Sequence, residues 1–108
     1  MTPKLDAFAE IVAKANDKLM AQYTEINTLM GIIDKALRAQ GMAADAITVD
    51  APSLDKKIVF LLPDELDDMV EVALGDKTGA INSKSQYALG SLDIDKTLSI
   101  MTAYLITH

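Results

Sequence analysis

Apolar residues recur along the first forty positions at steps of three or four: Leu5, Phe8, Val12, Ala15, Leu19, Tyr23, Ile26, Met30, Ile33 and Leu37. That is the period of one helical face. Thr2 ahead of Pro3 makes a helix start, a capping hydroxyl before a proline whose missing N–H costs nothing there, and Gly41 makes a stop. The pattern predicts one long amphipathic helix between them. Asn16-Asp17 is the place where it would divide, because both residues prefer caps to helix interiors. Glu10 four before Lys14, and Asp34 four before Arg38, suit its outer face. Ala21, Thr24, Thr28 and Gly31 place small side chains opposite the stripe.

Beyond Gly41 the period shortens. Ala46 to Asp50 alternates and is rich in β-branched residues, which predicts a short strand ended by Ala51-Pro52. Ile58 to Leu62 is an unbroken apolar run, the signature of a central or doubly covered strand, and the two would pair as a hairpin. Pro63-Asp64-Glu65-Leu66 reads as a helix opening, with acids where the dipole favours them. Leu66, Met69, Val70, Ala73 and Leu74 keep helical spacing up to Gly75. Val70, Val72 and Leu74 also alternate, so residues 69–74 carry both periods; the proline-acid start favours helix. Residues 75–90, GDKTGAINSKSQYALG, read as a long mobile loop with room for a short hairpin. Ser91 or Asp93 caps a closing helix striped by Ile94, Leu98, Met101 and Leu105. The expected fold is a single α+β domain over 1–108. In it the long N-terminal helix (1–41) and the C-terminal helix pack on a small sheet of two or three strands within 42–108.

Composition narrows the function classes. The 108 residues are 50% hydrophobic, which suits one domain with its own core. There is no cysteine, so disulfides, thiolate metal sites and cysteine nucleophiles are absent together, and a cytoplasmic setting is the expectation. The longest apolar run is far short of the roughly 20 residues of a membrane span, and no signal peptide is recognisable. The net charge of −6 falls entirely on residues 41–108, where five lysines face eleven acids. Such a surface repels phosphate backbones, so direct nucleic-acid binding is not expected.

Chemistry-bearing motifs are sparse. Asp64, Asp67, Asp68 and Glu71 would share one helical face, a landing patch for a basic protein partner, but no oxygen-ligand loop for calcium accompanies them. Gly75-Asp76-Lys77-Thr78-Gly79 lacks the lysine position of a phosphate loop. His108 is alone at the end of the chain, and no serine stands in a nucleophile elbow. No cofactor, metal or catalytic group is expected. The reading is a non-enzymatic adaptor, regulator or structural subunit working through protein contacts. The alternatives are a small-ligand pocket between sheet and helices, and an acidic inhibitor imitating nucleic acid. A helix from Pro3 to Gln40 would be roughly 57 Å long, while a compact chain of this size has a radius of gyration near 13 Å. A homodimer in the manner of a coiled coil, seamed along Leu19, Tyr23, Ile26 and Met30, is therefore expected.

Overall fold

The computed structural model describes residues 2–66 and 68–106. Helix α1 runs from Pro3 to Gln22 and starts as expected, with the Thr2 hydroxyl accepting from the Leu5 N–H at 3.1 Å. Asn16-Asp17 does not break it. Asn16 is buried, and its side-chain oxygen accepts a hydrogen bond from the Thr28 hydroxyl, so the polar group finds a tertiary partner instead of ending the helix.

The helix then stops eighteen residues short of Gln40, the end the periodicity gave it. Residues 24–33 are dominated by Thr24, Ile26, Asn27, Thr28, Gly31, Ile32 and Ile33, all poor helix formers. Leu29–Ile33 forms strand β1, and Ala36–Ala39 forms a one-turn helix, α2. Gly41 does act as a stop, but for α2. At φ +89° its N–H donates to Arg38 O at 3.1 Å and that of Met42 to Leu37 O at 2.9 Å, the paired closure that a left-handed residue permits.

The sheet has five antiparallel strands rather than two or three, in the order β1-β2-β3-β4-β5, with β2 at Ala44–Ala51, β3 at Lys56–Pro63, β4 at Met69–Gly75 and β5 at Ile81–Ala88. The expected hairpin of β2 and β3 is present, with Ile47 opposite Phe60 and Val49 opposite Ile58. Residues 69–74 are strand, not helix: the alternation of Val70, Val72 and Leu74 wins because Phe60 and Ile58 of β3 stand opposite Val72 and Leu74. Pro63 closes β3 instead of opening a helix, and the Asp64 N–H continues the ladder to Ala43 O at 2.9 Å.

Residues 75–90 are likewise not a long loop. Asp76 to Ala80 make a tight turn, and β5 pairs with β4 from Ile81 to Ala88. Inside the turn the Asp76 carboxylate accepts from the Thr78 N–H at 2.9 Å, the Ala80 N–H at 3.2 Å and the Thr78 hydroxyl at 2.5 Å. These amides therefore already hold an anion, the chain's own.

The two long helices cover one face of the sheet. α3, Ile94–Leu105, is capped by Asp93, whose carboxylate accepts from the Lys96 N–H at 2.7 Å. It packs beside α1 over Ile47, Val49, Ile58, Phe60, Leu62, Val70 and Val72, all at most 2% exposed. Phe8 meets Phe60 edge to face, with ring centroids 5.5 Å apart. Leu5, Val12, Ala15 and Leu19 all face this interior. The stripe that was to seam a homodimer is the domain's own core, and the molecule measures 37 × 28 × 21 Å with a radius of gyration of 13.1 Å. No helix is long and apolar enough to cross a membrane among the described residues.

Candidate functional site

With α1 and α3 on one face, strand alternation sends every second residue to the other, which no helix layer covers. Its middle is made of small or short side chains: Ala46 and Thr48 of β2, Val59 of β3 and Ala73 of β4. Larger groups stand around them. Ile33, Leu37 and Met42 rise at the β1 end, Leu61 alongside, and Ile81 at the β5 end. A low floor between taller walls makes a trough of about 310 Å³. Gly31 of β1 stands on the same face opposite Thr48, and a Cβ there would sit 2.8 Å from the Thr48 hydroxyl, which would have to shift.

The rim carries the charge. Lys57 lies 3.7 Å from Asp50, and Lys84 lies 3.4 Å from Glu71. Both pairs are at least partly wet, so they add little to the stability of the fold. The trough is thus an apolar strip with a short polar border. Three of the exposed large hydrophobic residues stand at or beside it: Ile81 at 52%, Met42 at 48% and Leu29 at 65%.

The sequence-predicted site residues are dispersed. Leu19 and Ile26 are buried in the core, while Tyr23 and Met30 are half-buried against it. Asp64 lies in the β3-β4 turn and receives both terminal nitrogens of Arg38, at 2.6 and 2.8 Å. Arg38 Nε also donates to the buried Asp45 at 3.1 Å. The Arg38 hydrogen bonds hold the Asp64 carboxyl below the usual carboxylate range, with partial desolvation opposing and the charges of Arg38 and Lys4 assisting. Asp68 is exposed in the same turn, and Glu71 sits on β4 against Lys84. Asp67 and His108 lie outside the described residues. Asp64 and Asp68 lie in a turn and Glu71 in a strand, so these three do not share a helical face. Among the described residues no three His, Asp or Glu side chains converge on a point that could hold a metal.

The layer between sheet and helices, where a small-ligand pocket was expected, is filled by the core. A recess of about 310 Å³ remains where α3 leaves β4 and β5 uncovered, lined by Leu74, Tyr87, Lys96, Ile100 and Tyr104. The Lys96 ammonium stands 5.6 Å from the Tyr87 ring centre and Tyr104 donates to Gly75 O at 2.6 Å, so its polar groups are engaged within the fold. Sequence reasoning missed the trough because its floor residues are small and separated along the chain. The signal available was the alternation of Ala46, Thr48, Val59, Leu61 and Ala73 opposite the core positions. Comparison with protein families, with characterised proteins and with solved structures finds no match to this chain.

Proposed function

We propose that the chain is a non-catalytic binding domain that acts through protein contacts, and that its open sheet face receives an apolar segment of a partner protein. The observation that supports this is the trough itself, a floor of small side chains that no helix covers, walled by apolar residues of which Ile81 and Met42 are about half exposed, in a domain that encloses the apolar residues of its other face. Exposed apolar walls grouped around one trough suit an interaction surface, since covering them gains about 25 cal/mol per Å². The paired lysines and acids at the rim give such a segment polar borders of both signs.

The test compares captures by two baits from native lysate. Val59→Gln with Ile81→Gln makes the trough polar while leaving the core face untouched. Proteins retained by the wild type and lost by this variant, with unchanged far-UV circular dichroism, support the reading. Identical captures by both baits would contradict it.

A further inference from the structure

We propose that the outer edge of β1 pairs with the same edge of a second copy of this chain, antiparallel about a two-fold axis at Gly31, joining two five-stranded sheets into one of ten. β1 is the first strand of the sheet, and among the described residues no strand lies beyond it. Its sequence is Leu-Met-Gly-Ile-Ile, with no lysine, proline or acid to discourage pairing. Unprotected apolar edges of this kind are templates for another strand. The opposite edge is built differently: β5 reads Asn82-Ser83-Lys84-Ser85-Gln86 after a register shift at Leu74/Gly75, two features that discourage pairing there.

Self-complementarity singles out a second copy as the occupant. With Gly31 opposite its own counterpart, Leu29 faces the partner's Ile33 on the trough side and Met30 faces the partner's Ile32 on the helix side, each twice. All five residues pair, every pair of side chains is apolar, and both sheets keep the same face outward. A slip by one residue would set Leu29 against the partner's Ile32, side chains of opposite faces. Leu29, 65% exposed, and Ile32, 41% exposed, are the residues left wet in the monomer, and this register covers both. A second copy also brings its strand already ordered, whereas a free peptide must first lose its chain entropy. The joined sheet would set the two troughs end to end, since Ile33 belongs to both wall and edge. The pairing stands independently of what enters the trough.

A five-residue ladder is about 17 Å long and covers less than the roughly 800 Å² per partner of a tight dimer, so the association is micromolar. Two chains of net charge −6 also repel while the edge itself carries no charge, so salt tightens the pair. Sedimentation velocity from about 5 to about 500 µM should show the 11.6 kDa monomer giving way to a species of twice that mass. Raising salt should lower the midpoint. Leu29→Lys with Ile32→Lys, both at exposed positions, should raise the dissociation constant at least tenfold with unchanged circular dichroism; Leu29→Lys alone serves if the pair unfolds. Because the chain has no cysteine, Leu29→Cys with Ile33→Cys adds a clean cross-link that should form a covalent dimer on oxidation. A wild type that stays monomeric at the highest concentration, or a dimer indifferent to the edge lysines, would overturn the proposal.

Discussion

Thr97 buries its hydroxyl completely inside α3, and that oxygen meets no hydrogen-bond partner among the described residues. An unpaired buried polar atom costs its lost hydration, so Thr97→Val, nearly the same shape, should stabilise the domain by about 1 kcal/mol in urea unfolding. The Asn16 and Thr28 pair is the contrary case. Removing one partner strands the other, so Asn16→Ala should cost about 1–3 kcal/mol, and joining it to Thr28→Val should cost less than the sum of the two singles. Arg38 holds one buried and one exposed carboxylate. Arg38→Ala should therefore destabilise more than Asp64→Ala, because only the former leaves Asp45 buried without its counter-charge. Asp64 also sets a pH dependence. Its folded pKa lies below the unfolded value near ~3.9, so its contribution is present above about pH 4 and is lost as pH falls through the folded value. The Asp64→Asn variant should show a shallower loss of stability below that pH. None of these roles was legible beforehand: Asn16 and Arg38 were read as local helix features, whereas their partners are twelve, seven and twenty-six residues away.

At the scale of elements, the start of α1, the β2-β3 hairpin and the Asp93 cap were legible, because each depends on neighbours in sequence. The end of α1 was not. Tyr23, Ile26, Met30 and Ile33 happen to continue a helical step through a connection and a strand, and the poor helix propensity from Thr24 onward was the stronger guide. β4 carried two periods, and its partner strand decided between them. β5 showed no apolar pattern because α3 covers it only in part: Tyr87 packs against the core beside Lys96, whereas Ser83 and Ser85 lie on the helix side yet remain exposed. Its order comes mainly from the ladder. Amides of residues 81–88 that donate to β4 should exchange more slowly than those of the 76–80 turn, as hydrogen exchange by NMR would show. Gly41 closes α2 in the left-handed region with open space around it, so Gly41→Ala should cost about 1 kcal/mol from backbone strain alone.

For the whole molecule, one stretch of chain changes what can meet a partner. Had residues 3–40 formed a single helix, its apolar stripe would have been the contact surface. Folded as α1, a connection and β1, the same residues enclose most of that stripe and present an open sheet face and an apolar edge in its place. Trough and edge both require β1 to be a strand beside β2. The most direct measurement is therefore the pattern of proton contacts across residues 22–50 in solution. Cross-strand contacts pairing Gly31 with Thr48, Met30 with Val49 and Ile32 with Ile47 are predicted, with helical contacts ending near Gln22. Helical contacts running unbroken from Pro3 to Gln40, with none between residues 29–33 and β2, would contradict the account.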